Sequence, residues 1–384
     1  MGTLCKSAPV KEIMNTKKKH ILIALHLYTA GGAERQALYL AKGLQDHGYA
    51  VSVIAFGEGK GLAWDRFQAA GIHCLALGFR EKLILGEKKG IKENLLFWRY
   101  QRQLIKTIQK LRVDIILPFT YPANVIYGQY WQKMGAKACY WNQRDEGRWF
   151  SGSKIELKAL ENCTGIISNS LEGKLFLEQY TQRAIQIIHN GIELPIETAK
   201  PELVKDQYRV VMVANLHTYK DHLTLLKAWK LFIESKPENT KLLLAGKKAD
   251  TYPMLQAFVD EHKLGDSVQF LDVVEDVYAL LATCHLAVFS SNKEGLPNGI
   301  LECMAAGLPV VATDIHGARE ALGGDDYLVE SGDCEKLLAL IQMLYFNPNH
   351  RTELGSKNRI RIEEEFKIGK LIQDYLTLFS FQKI

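Results

Sequence analysis

Apolar runs of four to seven residues recur along this chain, separated by segments that have helical length or carry apolar positions at helical spacing. In the first half the runs fall at 20–25, 50–56, 114–119, 136–142, 165–169 and 184–189; a second series occupies 209–214, 241–245, 267–271, 285–289 and 309–312. Continuous rather than alternating apolar runs predict strands buried on both faces, and intervening helices predict that those strands are parallel. Between the two series, residues 193–206 carry Pro195, Pro201 and several charges, the composition of a linker. The expected fold class is therefore α/β, with two Rossmann-like, doubly wound parallel-sheet domains at 20–200 and 201–365. Residues 1–19 read as a basic tail. Ligands of such sheets sit at the carboxyl ends of the strands, so two facing sheets place theirs in a shared cleft.

A chain of 384 residues is long for one core and suits two. Its cysteines (Cys5, Cys74, Cys139, Cys163, Cys284, Cys303 and Cys334) stand singly, without metal-ligand spacing, as expected of reduced thiols in a cytoplasmic protein. No window approaches a membrane span, and the N-terminus lacks the layout of a signal peptide. Charge is uneven: residues 1–200 hold 28 Lys and Arg against 17 Asp and Glu, which leaves 20 against 26 for the remainder. Within the basic half, Leu95, Leu96, Trp98, Leu104, Ile105, Ile108 and Leu111 recur at helical spacing among cations. Such a helix either covers its own sheet with a solvated outer face or lies on an anionic membrane surface. Nucleic acid is not expected, because no recognised binding motif accompanies the charge.

The segment with the clearest chemistry follows the run 285–289. Glu294 and Glu302 bracket Gly295, Leu296 and Pro297; Gly295 makes a loop and Pro297 suits the first position of a helix. The free N–H groups of that helix start and its positive dipole end form a phosphate site. Carboxylates beside a phosphate are useful when they hold neutral hydroxyls: one a ribose diol, the other the hydroxyls of a sugar. The plain alternative is a loop glutamate and a solvated helix glutamate. Two further loops follow first strands: Thr29-Ala30-Gly31-Gly32-Ala33-Glu34, and Asn215-Leu216-His217-Thr218-Tyr219-Lys220. Neither is GxGxxG, which argues against a dinucleotide oxidoreductase.

Glu294 through Glu302 matches the E-x7-E signature of retaining GT-B glycosyltransferases, and the continuation Cys303-Met304-Ala305-Ala306-Gly307-Leu308-Pro309 resembles the glycosyltransferase family 4 block. The resemblance implies a GT-B fold whose last helix, 366–384, packs back on the first domain. It implies that Glu294 lies by the donor sugar, that Gly295, Leu296 and Pro297 meet the diphosphate, and that Glu302 binds the ribose. Gly31 and Gly32 would face the donor phosphates across the cleft, and Lys220 would pair with the diphosphate. Asn215 stands where an arginine is common and brings no charge; Lys247 or Lys248 could supply it. Val274, in the turn 272–277, would lie beside the base. Many family members carry a histidine on the acceptor side; the corresponding stretch here, Tyr140 to Gly147, has none. Asp145, Arg144 or Asn142 could orient the acceptor, while Arg144 with Asp145 could equally be a structural ion pair. His189 reads as structural rather than catalytic.

The implied reaction is front-face displacement with retention, in which the acceptor hydroxyl attacks the anomeric carbon and the leaving diphosphate takes up its proton. No metal or other cofactor is expected, since the helix dipole and Lys220 neutralise the diphosphate; Asp325-Asp326 reads as a turn. The expected function is a hexosyltransferase-type enzyme using a UDP-sugar, or next a GDP-sugar. Its acceptor would be a lipid-linked saccharide or oligosaccharide of bacterial surface polysaccharide synthesis, met at the cytoplasmic face of the membrane through the basic first domain. The alternatives are a GT-B sugar-nucleotide epimerase or phosphorylase, and a catalytically silent nucleotide-sugar-binding subunit.

Overall fold

The computed structural model describes residues 18–29, 31–80, 90–195, 207–235, 237 and 239–380. The expected basic tail, except for Lys18 and Lys19, and most of the expected linker lie outside the described residues.

The first sheet comprises β1 (His20–Leu25), β2 (Ala50–Ala55), β3 (His73–Ala76), β4 (Ile115–Pro118), β5 (Ala138–Gln143), β6 (Gly165–Ser168) and β7 (Ile185–Ile187), in the order β3-β2-β1-β4-β5-β6-β7. All its pairings are parallel. The period-2 pleat splits each apolar run between two cores. Ile21, Ile23 and Leu25 of β1 face one core with Tyr140, while Leu22 and Ala24 face the other with Trp141. A run with no polar side is therefore required.

The second sheet, β8 (Tyr208–Val213), β9 (Thr240–Ala245), β10 (Val268–Asp272), β11 (Leu286–Phe289), β12 (Val310–Thr313) and β13 (Leu328–Val329), runs β10-β9-β8-β11-β12-β13, again parallel throughout. The outermost strands β3 and β13 have no counterpart in the apolar runs read from the sequence. His-Cys-Leu-Ala in β3 is exposed at both ends and half-buried between, and β13 is two residues long; an edge strand need not be apolar on both faces.

Helices cover both sheets: α1 (Gly32–Asp46), α2 (Leu62–Ala69), α3 (Ile91–Leu111), α4 (Tyr121–Tyr130), α5 (Lys154–Asn162) and α6 (Leu171–Leu177) in the first domain. The second has α7 (His222–Glu234), α8 (Tyr252–Glu261), α9 (Val277–Leu281), α10 (Asn298–Ala305), α11 (His316–Leu322), α12 (Cys334–Phe346) and α13 (Pro348–Arg361). After a π-helical turn at Ile362–Phe366, α14 (Ile368–Ser380) crosses to the first domain and buries Leu371, Tyr375 and Phe379 in its core against α1. Ile192 and Lys367 bridge where the two crossings meet.

The basic helix α3 divides in two. Leu104 and Ile108 are buried, whereas Ile91, Leu95 and Trp98 are 91, 61 and 54% exposed. Its first turns thus hold apolar side chains off the core, beside Lys92, Arg99 and Arg102. Among the described residues no helix is long and apolar enough to cross a membrane.

Candidate functional site at the domain interface

The site is built where the carboxyl ends of β1, β8 and β11 approach one another. From β11 the chain passes through Ser290 and Ser291, bends at 292–297, and enters α10. Ser290 Oγ donates to the Asp221 carbonyl at 2.7 Å, and the Asn292 N–H donates to the Tyr219 carbonyl at 2.8 Å. These bonds tie the Glu294 loop to the one-turn helix Thr218–Lys220, so Lys220 and Glu294, 74 residues apart in sequence, form a largely buried ion pair. Ser291 Oγ donates to Glu294 at 3.1 Å and fixes the carboxylate further.

The loop leaves no space for side chains. A Cβ built on Gly317 overlaps the Gly295 carbonyl oxygen, and one built on Gly295 would sit 3.2 Å from Asp145 Cα and Asn169 Oδ1. Gly317→Ala is expected to cost about 1–3 kcal/mol through overpacking and to displace the Glu294 loop, so a lowered melting temperature should accompany lost activity. A variant that keeps both would show that the loop yields freely.

Pro297 adopts extended geometry as the N-cap, one position earlier than the sequence reading placed it, and Asn298 opens α10. The N–H groups of Asn298, Gly299 and Ile300 belong to the first turn and have no partner within the helix. Asn298 is also the hub of the interface. Its Oδ1 accepts from Asn190 Nδ2 at 2.8 Å and from Gln36 Nε2 at 3.3 Å, while its amide nitrogen abuts the backbone of Gly32 so closely that a Cβ there would collide. Gly31 is the extended N-cap of α1, and the buried Glu34 carboxyl folds back beside it, held by Thr29 Oγ1 at 2.8 Å. Burial pushes the Glu34 carboxyl above the usual range.

One turn into α10, Glu302 is buried, and Arg35 of α1 crosses the interface to pair with it. Burial raises the Glu302 carboxyl above its ordinary value, opposed by the Arg35 charge. Tyr39, one turn along α1, and Tyr278 of α9 lie near enough to this pair to feel it; burial pushes the Tyr39 hydroxyl up to about 12. Tyr278 donates to the Glu193 carbonyl at 2.7 Å, which pins α9 to the chain crossing. Val274, partly exposed, precedes α9 by three residues. Glu302 is therefore not an open hydroxyl acceptor: it holds a cation from the other domain.

Asn215 lies in the loop that follows β8. Its Oδ1 accepts the Lys247 N–H at 2.9 Å, joining the loops after β8 and β9. Lys248 lies over the Tyr252 ring, its Nζ 4.5 Å from the centroid. Arg144 and Asp145 do not pair with each other. Arg144 donates to Asn190 Oδ1 at 2.6 Å and stacks over Phe119, while Asp145 Oδ1 accepts from Gln143 at 2.7 Å and from the Gly147 N–H at 2.8 Å. Burial raises the Asp145 carboxyl. Asn142 bonds Tyr375 of α14 at 3.2 Å. His189 meets Glu320 of the second domain at 2.7 Å, a contact between domains. Arg148, held by both Glu146 oxygens, lies 3.5 Å over the Tyr219 ring beside Lys220. Among the described residues no group of three or more His, Cys, Asp or Glu side chains could hold a metal.

Arg35, Asn190, Asn298 and Arg148 were not singled out from the sequence. Arg35 directly follows the Gly-Gly-x-Glu segment, but nothing local says that its guanidinium crosses to Glu302.

Acid should loosen this site. His222 opens α7 two residues after Lys220; burial, with Lys220 nearby, lowers its imidazole to about 4. The unfolded chain then binds a proton below about 6.5 that the folded chain refuses, so stability is complete above pH 6.5 and falls towards pH 4. A loss of roughly 3 kcal/mol is expected over that window from the size of the shift. His222→Leu should flatten the slope in urea titrations at stepped pH; an unchanged slope would assign it to other groups.

Comparison with known proteins places this architecture. The chain is similar over 94% of its length to the Anabaena protein HepE, solved in complex with UDP and glucose, with a TM-score of 0.78, 20% identity and 99% of that chain covered. An uncharacterized glycosyltransferase of Haemophilus influenzae is 24% identical over 371 residues, covering 93% of this chain and 99% of its own. A Campylobacter jejuni relative, N-acetylgalactosamine-N,N'-diacetylbacillosaminyl-diphospho-undecaprenol 4-alpha-N-acetylgalactosaminyltransferase, is 26% identical over 197 residues, 50% of this chain and 52% of its own. Two parallel-sheet domains closing on each other, with the final helix returned to the first, define the GT-B fold. The chain belongs to glycosyltransferase family 4: the profile described as Glycosyltransferase Family 4 matches residues 30–195, and that of Glycosyl transferases group 1 matches 207–347.

Proposed function

We propose that this glycosyltransferase moves a sugar from a nucleotide diphosphate sugar to a hydroxyl of a lipid-linked saccharide, with retention of configuration and without a metal ion. A UDP-sugar is favoured over a GDP-sugar. The observation that carries the reading is the sequence of groups along one wall of the interface: the Lys220–Glu294 pair, then the N-terminus of α10, then Glu302. These suit, in order, the transferred sugar, the diphosphate and the ribose. Lys220 and the N–H groups of α10 stabilise charge that builds on the leaving diphosphate, the transition-state feature that most needs support. Glu294 accepts from sugar hydroxyls, and Gly31 and Gly32 admit the phosphates to the α1 backbone once the Glu34 carboxyl and the Asn298 amide packed against them move aside. Val274 lies towards the base. Asp145 holds the acceptor-side turn on which Gly295 rests.

Support for the donor comes from HepE, whose structure contains UDP and glucose. Support for the acceptor comes from the Campylobacter relative, whose name specifies a diphospho-undecaprenol acceptor, and from the exposed apolar and basic first turns of α3. Those turns suit the cytoplasmic face of an anionic membrane.

Titration calorimetry with UDP, GDP, ADP and dTDP in the presence of a chelator tests the donor. Binding of one of them is expected; no binding by any would remove the donor reading. Proton NMR of the product on a lipid-linked acceptor reads the anomeric configuration, and an inverted product would remove retention.

A further inference from the structure

The cation content of the donor site does not balance. Asn215 is neutral and commits its side-chain oxygen to the Lys247 backbone, and Lys220 is already engaged by Glu294. Lys220 would thus meet a diphosphate with its charge already shared with a carboxylate, as is that of Arg148 beside it, held by Glu146. Meanwhile the carboxylate read as the ribose ligand is covered by a cation from the opposite domain. Each feature is awkward alone; together they resolve.

We propose that Arg35 is an exchangeable cation of the donor site: it pairs with Glu302 while the site is empty and passes to the diphosphate when the ribose diol takes its place on Glu302. This rests on the donor reading above.

The geometry permits the exchange. Arg35 stands in the first turn of α1, three residues beyond Gly32, whose backbone abuts Asn298 at the start of α10. Glu302 is four residues further along α10, so the guanidinium would move about 6 Å along that helix to reach its N-terminus, at 1.5 Å per residue. A flexible arginine side chain spans that distance without moving α1. The exchange also preserves polar satisfaction at each end. Glu302, with its side chain only 5% exposed, needs a charge partner or hydroxyl donors at all times, because an unpaired buried carboxylate is strongly unfavourable. Arg35 supplies the first state and the diol the second. The guanidinium meanwhile trades one oxyanion for another, and its planar fork suits phosphate as well as carboxylate. Domain contact is kept through Gln36, Asn190 and Asn298, which do not depend on Arg35.

The test compares a nucleoside with its diphosphate. Uridine and UDP are titrated against wild type, Arg35→Gln and Arg35→Lys, with guanosine and GDP substituted if GDP is the ligand found. In Arg35→Gln the ratio of UDP to uridine affinity is expected to fall by about tenfold or more, from loss of a charge-assisted contact. Uridine itself should bind no more weakly than to wild type, because its competitor for Glu302 has gone. Arg35→Lys should recover part of the ratio. A variant that merely damaged the fold would weaken both ligands together; that outcome, or an unchanged ratio in Arg35→Gln, overturns the proposal. Failure of the donor reading is visible separately, as a wild-type protein that binds no nucleoside diphosphate.

Discussion

Replacing Lys220 by alanine is expected to reduce kcat/KM for sugar transfer by about 10²–10³-fold, the range found when a group that stabilises developing negative charge is removed from a closed site. The loss should fall mainly on kcat. Lys220 is held by Glu294 and by a one-turn helix whose carbonyls bond to the β11 loop, so it is positioned before substrate arrives and has little reorganisation left to do. Glu294→Gln separates the two roles of that pair. It retains hydrogen bonds to a sugar hydroxyl but removes the counter-charge, and its deficit should be smaller than that of Lys220→Ala. Steady-state kinetics on a matched donor and acceptor supply the comparison. A Lys220→Ala enzyme within a few-fold of wild type would mean that the α10 N–H groups carry the diphosphate without it.

Glu302→Ala is expected to weaken nucleoside binding by about 1–3 kcal/mol, the loss of charge-assisted bonds to two hydroxyls. The diphosphate should lose less than the nucleoside, because the same substitution frees Arg35. Calorimetry with uridine, deoxyuridine and UDP checks this. Wild type should discriminate against deoxyuridine and Glu302→Ala should not; equal discrimination by both would remove Glu302 from the ribose. Since Arg35 would be left without its buried partner, a lower melting temperature should accompany the substitution.

Much of the architecture was legible in order and spacing. Every central strand appeared as an apolar run, because a parallel strand covered on both faces admits few polar side chains. The exceptions are informative. β3 and β13 lie at sheet edges and are too short or too mixed in composition to announce themselves. Pro297 was read one position late because proline serves both ahead of and within a first helical turn. Helix starts and glycine loops at the interface were legible too, since they are set by local chemistry. The partners of the residues there were not. Asn215 turned to the backbone of the next strand's loop, Arg144 to Asn190, and Arg35 to a glutamate 267 residues away.

The sequence by itself determined two parallel α/β domains, the helix start at Pro297 and Asn298, and the loop carboxylate of Glu294, because strand burial, capping and turn formation depend on residues close in the chain. Only the tertiary structure decided that Glu302 is guarded by Arg35, that Lys220 is paired with Glu294, and that Asn298 joins the domains. Those contacts depend on how two separately formed sheets are set against each other, and the angle between them is fixed by α14 and by interface side chains whose spacing in sequence carries no period.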